Sequence, residues 1–437
     1  MEEKTKEEKN YNAKGITLIA LVVTIIVLII LAGLSISLIL GDNGIVAKAK
    51  LAKEQTEQAR INEEIGLNET AKYIEDLGVG EGTTNPPETM KTVEEVKGGE
   101  YFKKPTTIKD SNGNLIKVPE GFKIAEDSGV NVTEGIVIED NDIIEGIGNN
   151  RGNQYVWIPV GNGIKKSDGT SINITLGRYD FADGTNDKTE DGTTVLAKGT
   201  PILKQSADNY TQEIYTSLSS ELATYREGIA SSGEDGLNTT SRGKQKADGT
   251  YEGIKSFIDS VKANGGYYIA RYEATYGTDG KANSKVSNTF TNSDTAPTTR
   301  AEGMLWNHIT QIDAATASRD LYTTATTDLI NSYAWDMAIV YIQNFSGDID
   351  YSYQTSKNQT LSNTGINGDE VCKINDMASN TLEWTTEYNR SSGGSIKNPC
   401  NIRGGYYHES DVYMSFRFSF TAIASYEFIT FRPTLYM

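Results

Sequence analysis

The residue types on which most enzyme mechanisms depend are scarce in this chain. Its 437 residues include only two histidines, His308 and His408, and two cysteines, Cys372 and Cys400. General-base catalysis, catalytic triads and histidine–metal sites therefore have almost no side chains to use, and the phosphate-binding pattern GxxxxGK[ST] is absent. Carboxylate pairs for glycoside cleavage stay open among 59 acidic residues, although no pair stands out. We predict a protein that is not an enzyme and uses no cofactor.

Metal and disulfide chemistry have equally little support. The stretch DSNGN at 110–114 begins like a calcium loop but lacks the glycine at the sixth position and the glutamate at the twelfth. Two cysteines are too few for a zinc cage or a disulfide framework, which leaves one structural bridge or two unpaired thiols. We therefore predict no metal site.

The last part of the chain has a composition typical of a recognition surface. The 25 residues Tyr406–Thr430 contain four Tyr, four Ser and four Phe. Tyrosine brings a large rigid contact area at low entropic cost, and serine adapts its hydrogen bonds. In SFRFSF, however, Phe alternates with polar residues, as it would in a strand whose aromatic side chains fill a core. We expect a mixture of inward and ligand-facing side chains, with candidate ligand contacts at Tyr406, Tyr407, His408, Ser410, Asp411, Tyr413, Ser415, Phe416, Phe418, Phe420, Ser425 and Tyr426.

Charge and composition bound the class of protein that carries this segment. A formal net charge of -18 without any cluster of Lys and Arg argues against nucleic acid as a partner. With 42 Gly against 9 Pro, the body is predicted to be rich in turns and more β than α. The length allows two or three domains.

One uncharged apolar run dominates the N-terminal part. Ile16–Leu40 follows Lys14 and Gly15, and as a helix it would be long enough to cross a bilayer. Lys14 would then stay in the cytoplasm by the positive-inside rule. The sequence thus predicts a single-pass protein of the bacterial membrane, attached through residues 16–40, with an extracellular C-terminal domain.

The same run resembles the class III (prepilin) signal of type IV pilins and pseudopilins. In KGITLIALVVTIIVLIILAG the resemblance places peptidase cleavage between Gly15 and Ile16, which makes 1–15 a leader. It implies prepilin peptidase and other pilins as partners, and a place in a pilus. Ala20 stands where that family usually has Glu, which puts filament assembly in doubt. Residues 45–77 have a moderately amphipathic pattern, so 16–77 is predicted as the transmembrane and pilin-like helix.

Short apolar runs between turns predict the rest of the body. Residues 78–116 are predicted as a linker, and strands are expected at Leu115–Val118, Gly135–Ile138 and Tyr155–Val160. The polar tract 161–265 is interpreted as an insertion. Further predictions are a strand within 265–275 and helices within 304–322 and 329–344.

The order of motifs in 117–437 resembles the formylglycine-generating-enzyme-like branch of the C-type lectin fold. Its motifs are VWIP at 156–159, YIARYEAT at 268–275, Trp335-Asp336, DMASNTLEWT at 376–385, RGG at 403–405 and Phe431-Arg432. Ser379 and Thr430 depart from the family pattern. The resemblance implies a C-type lectin-like domain with a long polar insertion, and the predicted fold class is α+β. It implies scaffold roles for Arg271, Glu273, Trp335, Asp376, Asn380, Glu383, Trp384, Arg403, Gly404, Gly405, Phe431 and Arg432.

Within that scaffold, Glu383 is expected to pair with Arg403 or Arg432, and Arg271 with Glu273 to join the same network. The enzyme of the family uses paired cysteines near its C-terminal end together with copper, and this chain has no cysteine after Cys400. In lectin-fold relatives diversified by retroelements, the variable stretch follows the RGG motif, which makes 403–437 the expected variable binding segment.

The predicted function is therefore a cell-surface, adhesin-like protein. It would bind an unknown protein or glycan on another cell, a phage or a host. A structural minor pilin and a formylglycine-type oxidase are the alternatives.

Overall fold

Short strands joined by turns make up most of the chain that the computed structural model describes, which is residues 90–209, 253–366, 368–388 and 400–437. All of them belong to one compact unit, Met90–Met437. The described helices are α1 Val93–Val96, α2 Gly253–Asn264, α3 Gln311–Ser318 and α4 Ser332–Ser346, with 3-10 turns at Gly148–Asn150, Ala207–Asn209 and Ile349–Tyr353.

A six-stranded antiparallel sheet forms the larger part of the core. Its strands, in chain order, are β3 Lys123–Ile124, β4 Val137–Glu139, β5 Gln154–Pro159, β10 Gly266–Ala270, β13 Thr326–Leu329 and β20 Pro433–Tyr436. Their spatial order is β13-β20-β10-β5-β4-β3. Both faces are covered, which is why β5 and β10 are buried along their whole length. The Tyr267 hydroxyl donates to the Ala334 carbonyl of α4, and the neighbouring Tyr268 hydroxyl donates to the Lys117 carbonyl on the opposite side.

A four-stranded sheet carries the C-terminal segment. It contains β16 Leu382–Tyr388, β17 Cys400–Arg403, β18 Arg417–Phe420 and β19 Ile429–Phe431 in the order β18-β17-β16-β19. Only β16 and β19 run parallel. Because β18 pairs on one side alone, it is an edge strand of this sheet.

Five two-stranded hairpins surround these sheets. They are β1 Thr106–Lys109 with β2 Leu115–Val118, β6 Gly161–Lys165 with β7 Ser171–Ile174, β8 Gly177–Phe181 with β9 Pro201–Ser206, β11 Thr275–Tyr276 with β12 Ala282–Asn283, and β14 Glu370–Val371 with β15 Ile374–Asn375. Helix α4 packs against β8, which lies in the predicted insertion. The insertion therefore supplies part of the core.

Helix α4 is central to both sheets. The Asn331 side chain accepts a hydrogen bond from the Ala334 amide and caps the first turn, and Gly347 closes the last turn at φ +77°. Trp335 and Asp336 are fully buried in its first turns. The helix thus brings one aromatic ring and one carboxylate into the core beneath the four-stranded sheet.

The fold-class prediction is wrong in its first element, the transmembrane pilin-like helix. Among residues 90–437 as described, no helix is both long and apolar enough to cross a bilayer. The longest of them, α4, spans 15 residues or about 22 Å, against about 30 Å of bilayer hydrocarbon, and its apolar residues are buried in a core of mostly short strands. The transmembrane and prepilin features and the single-pass membrane location are corrected on the same ground. The residues that suggested them, Gly15, Ile16 and the rest of 1–77, lie outside the described chain.

Some element predictions hold and others shift. Strand β2 has the predicted bounds Leu115–Val118, whereas the helix expected within 304–322 is only Gln311–Ser318. The predicted linker 78–116 contains α1 and β1 from Val93 onward, and Val93 and Ile108 are completely buried. Apolar residues in that interval therefore belong to the core.

Candidate functional site

A row of aromatic rings crosses the surface of the C-terminal segment. Each ring contacts the next, with centroids 4.4 to 6.5 Å apart, in the order Phe416, Phe418, Phe420, Tyr426, Phe428, Tyr406 and Tyr407. The Tyr426 and Phe428 rings are stacked with nearly parallel planes, 3° apart in angle, and their centroids are 5.2 Å apart. We call these seven residues together with Ile423 the aromatic surface.

Part of the aromatic surface faces water. Phe418 is 37% exposed, Tyr426 43% and Ile423 57%, and it is their grouping that is informative. Tyr407 is buried, and the remaining rings are half-buried. The segment therefore mixes core and surface aromatics, with the solvent-facing part near β18 and the loop 421–426.

Strand pairing positions the exposed rings. Phe418 lies opposite Ile402 and Phe420 opposite Cys400 in the β17–β18 ladder, and Trp384 lies opposite Ile402 on the other side of β17. These side chains share one face of the four-stranded sheet because side chains alternate between faces along a strand. The Phe420 ring contacts the buried Trp384 ring at 6.5 Å. The aromatic surface therefore rests on a fixed apolar layer.

The opposite face of the same sheet carries charges that are buried. The Arg403 guanidinium donates to Asp336 Oδ1 at 2.7 Å and to Glu387 Oε2 at 2.9 Å, and all three side chains are completely inaccessible to solvent. Arg417 donates to the same two carboxylates, and Arg178 donates to Glu387. We call these five residues the arginine cluster. Burial by itself would raise the pKa of Glu387, but the charges of Arg417, Arg178 and Arg403 lower it to about 2.

The two glycines after Arg403 let the chain turn away from the sheet. Gly404 has φ +93°, a conformation that favours glycine. A β-carbon on Gly405 would lie 2.3 Å from the Ala378 carbonyl oxygen. The close approach brings the following residues against the DMASN stretch, where the Tyr407 amide donates to the Asn380 carbonyl.

A second buried group of acids supports the base of this segment. Arg432 makes two hydrogen bonds to Glu383, so the expected pairing of Glu383 is with Arg432 and not with Arg403. Glu273 accepts hydrogen bonds from Asn380 and from Thr381. Burial raises the pKa of Glu273, and the nearby Asp376 and Glu383 charges raise it further.

Asp376 belongs to the same group. Its Oδ2 accepts hydrogen bonds from the Thr364 hydroxyl at 2.6 Å and the Gly365 amide at 2.7 Å. Burial raises its pKa to about 7 in spite of these bonds. We call Glu273, Asp376, Glu383 and Arg432 the acid cluster.

Arg271 lies outside that cluster, contrary to the expectation. Its guanidinium donates to Asp127 at 2.7 Å and to Glu370 at 2.8 Å. The hydrogen bonds of Arg271 and Glu273 therefore go to different partners. The predicted single network is therefore two.

The predicted ligand contacts divide among several places. His408, Ser410 and Asp411 are exposed, and Tyr406 and Tyr413 are half-buried. Tyr413 and Ser415 line a pocket of about 350 Å³ together with Phe416 and Arg417, whereas Ser425 lines a different pocket of about 490 Å³. A third pocket, of about 690 Å³ and lined by residues that include Thr323 and Thr327, contains none of the predicted ligand contacts.

The cysteines do not form a bridge. Cys372 and Cys400, both described, are not disulfide-bonded to one another. Burial raises the pKa of the Cys372 thiol to about 12, which disfavours a reactive thiolate. In the part of the chain that the structure describes, no three His, Cys, Asp or Glu residues are grouped to hold a metal ion.

Three features of the site escaped the sequence reasoning. Phe428 and Ile423 were not selected, although both lie within Tyr406–Thr430, where the composition was the signal. Arg417 was placed on the face opposite the Phe residues but was not recognised as part of a buried cluster. Its position between Phe416 and Phe418 in an alternating strand was the available signal.

Comparisons with known proteins add little to this picture. The sequence matches no protein-family profile and no curated protein. Among solved structures, the chain is similar to the crystal structure of CarF with a TM-score of 0.29 and 16% sequence identity, covering 39% of this chain and 87% of that chain. A likeness that weak carries no argument, and the motif resemblance to the formylglycine-generating-enzyme-like lectin fold stays a prediction.

Proposed function

We propose that this protein is a binding protein that recognises its ligand through the aromatic surface. The observation that carries the proposal is the continuous row of ring contacts that is exposed to solvent at Phe418 and Tyr426, beside exposed Ile423. Grouped exposed apolar side chains are costly in water and mark interaction sites in soluble proteins. Aromatic side chains also lose little conformational entropy on binding.

The layers beneath the aromatic surface support the same proposal. Phe418 and Phe420 extend from a strand paired with β17, whose Arg403 is locked to Asp336 and Glu387. A contact surface built on a rigid, well-packed element keeps its geometry before the ligand arrives. The cost of ordering the surface is therefore met by folding and not by binding.

We extend the proposal to sequence variation in the same surface. The exposed side chains Phe418, Ile423 and Tyr426 contribute little to the core, so other residues could replace them without loss of the fold. A near-copy of the coding region for 403–437 beside a reverse-transcriptase gene would support this extension. Invariant residues at these three positions in many copies of the gene would contradict it.

The proposed function is tested by binding of the full chain to arrays of defined peptides and glycans. The site variant is Phe418→Ser, Ile423→Ser, Tyr426→Ser, and the matched control is Leu115→Ser, Ile143→Ser, Ile366→Ser, which removes similarly exposed apolar residues elsewhere. We expect the site variant to lose about a hundredfold in affinity because central aromatic contacts dominate interfaces, and the control to bind like wild type. Equal binding by both variants, or no binding to any array member, would overturn the proposal.

A further inference from the structure

A pocket of about 490 Å³ borders the aromatic surface and contains a cationic side chain. Its wall includes Tyr276, Trp306, His308, Thr310 and Ser425, and Arg300 and Asp313 also line it. The Trp306 ring packs edge-on against Tyr276 and against Phe431, so one side of the pocket is the apolar layer beneath the four-stranded sheet. The pocket thus combines a rigid apolar wall with charged groups.

Backbone hydrogen bonds connect this pocket to the aromatic surface. The His308 amide donates to the Tyr426 carbonyl, and the Gln311 amide donates to the Ala422 carbonyl, each at 3.0 Å. The loop between these two carbonyls carries exposed Ile423 on the aromatic surface and Ser425 on the pocket wall. One ligand could therefore contact Ile423 and Tyr426 and also enter the pocket.

Arg300 differs from every other arginine that the structure describes. Seven of them have a carboxylate oxygen within 4.0 Å, and they are Arg151, Arg178, Arg271, Arg319, Arg403, Arg417 and Arg432. Arg300 has no such partner among the described residues. Its Nη2 donates to the His308 carbonyl at 3.0 Å, while its Nη1 is buried without a hydrogen bond.

A half-buried guanidinium in this condition is not well stabilised. Burial lowers the pKa of Arg300, which is the direction expected when desolvation of the cation is not offset by a neighbouring anion. A carboxylate is the group that best complements a guanidinium, because two parallel hydrogen bonds match its geometry. An anion bound in the pocket would therefore stabilise the Arg300 guanidinium.

Asp313, the acidic residue that lines the pocket, is not the partner of Arg300. Asp313 Oδ2 accepts a hydrogen bond from the Thr310 hydroxyl at 2.7 Å, within the first turn of α3. Among the described residues no ion pair joins Asp313 to Arg300, and the Asp313 charge is not among the causes that shift the pKa of Arg300. The helix N-terminus offsets part of its negative charge.

We propose that the ligand is a protein segment that offers an Asp or Glu carboxylate to Arg300 while its apolar side chains contact Ile423 and Tyr426. The inference rests on the proposed function and names the class of partner for the same surface. A protein segment fits because it can bring apolar side chains to Phe418 and Ile423 and a carboxylate to Arg300 at the same time. The charged contact at the edge of an apolar patch would fix the register of the segment.

The test uses the full chain and short capped peptides rich in Leu, Ile and Phe. Each peptide has one Asp and is paired with a counterpart in which that Asp is Asn. We expect the acidic member of binding pairs to bind about tenfold more tightly, as for a hydrogen bond to a charged group. Arg300→Gln should remove this preference, Arg300→Lys should keep part of it, and Asp313→Asn should increase it.

The outcomes separate the two proposals. Binding that is lost in the Phe418, Ile423, Tyr426 variant but shows no preference for the acidic member overturns the inference and supports the proposed function. If the Phe418, Ile423, Tyr426 variant binds as tightly as wild type, the proposed function is overturned. A preference that survives Arg300→Gln, or no binding by any peptide, overturns the inference. Thermal unfolding of each variant shows whether the fold is intact, and Arg300→Lys replaces Arg300→Gln if the latter unfolds.

Discussion

The two faces of the four-stranded sheet differ in what they bury: one face holds charged side chains in the core, and the other leaves aromatic rings in contact with water. Along β17 and β18, Arg403 and Arg417 point to one face, where the fully buried carboxylates of Asp336 and Glu387 neutralise them. Ile402 and Phe418, one position away, point to the other face, where Phe418 ends in solvent. Charge is buried and apolar surface is exposed, the reverse of what transfer free energies favour for isolated side chains.

The difference indicates which face maintains the structure and which is available for contact. Ions buried together hold a specific geometry, because each loses much of its stabilisation if its partner moves. The exposed rings make no interaction as strong as these buried ion pairs. Strand β18 thus joins a fixed inward face to an outward face whose side chains can change, and mutations should separate the two.

The largest effect is expected for Asp336→Asn. Asp336 accepts hydrogen bonds from Arg403 and Arg417 in a fully buried position, so its loss leaves uncompensated cations in the core. We expect the free energy of unfolding to fall by about 3–5 kcal/mol, measured by urea denaturation.

The matched control is Asp180→Asn. Asp180 also contacts Arg417, at 3.2 Å, but it is 53% exposed. An exposed pair of this kind contributes about 0–1 kcal/mol. Similar losses for Asp336→Asn and Asp180→Asn would show that burial does not distinguish the inward face.

A smaller effect, dependent on pH, is expected in the acid cluster. The pKa of Asp376 is raised from its ordinary value of 3.8 to about 7, so the folded state keeps a proton that the unfolded chain loses. The stabilisation is complete below about pH 4 and is lost as the pH rises through 7. Asp376→Asn should therefore give a shallower fall in urea midpoint between pH 4.5 and 7.5, with exposed Asp350→Asn as the control.

The arginine cluster has the opposite sign. The pKa of Glu387 is lowered to about 2, so its contribution is present above about pH 4.5 and is lost only as the pH falls toward 2. The two effects therefore occupy separate pH ranges. A wild-type midpoint that is constant from pH 4.5 to 7.5 would contradict the assignment of Asp376.

The smallest effects are expected on the outward face. Phe418→Ser should cost less than about 1 kcal/mol because the ring is already 37% exposed. Phe420→Ser should cost about 2 kcal/mol, since that ring is half-buried and packs against Trp384. Urea denaturation of the two variants measures both losses in the free energy of unfolding. Equal losses would show that Phe418 and Phe420 do not differ as contact and core residues.

Local pattern predicted several elements that position the site. The strand Leu115–Val118 has its predicted bounds, and the helix expected within 329–344 is observed as Ser332–Ser346. Period-2 alternation in SFRFSF correctly separated Phe418 and Phe420 from Arg417 and Ser419. These signals are local, because they depend on backbone period and on turn residues beside it.

Long-range pairing was outside the reach of that pattern. Arg178 contacts Glu387 across 209 positions, from a hairpin that had been interpreted as an insertion. Arg271 and Glu273 were expected to share one network and do not, because Arg271 reaches Asp127 and Glu370, whereas Glu273 reaches Asn380 and Thr381. Sequence spacing cannot identify such partners, since they are set by which elements pack together.

The sequence by itself determined the chemical character of the protein: too few histidines and cysteines for most catalysis, a turn-rich body, and a C-terminal segment of Tyr, Ser and Phe. Tertiary structure decided which of those aromatic side chains reach water. Alternation defines two faces of a strand but not what covers each face. Here α4 and its Asp336 cover one face, while the edge position of β18 leaves the rings of the other exposed.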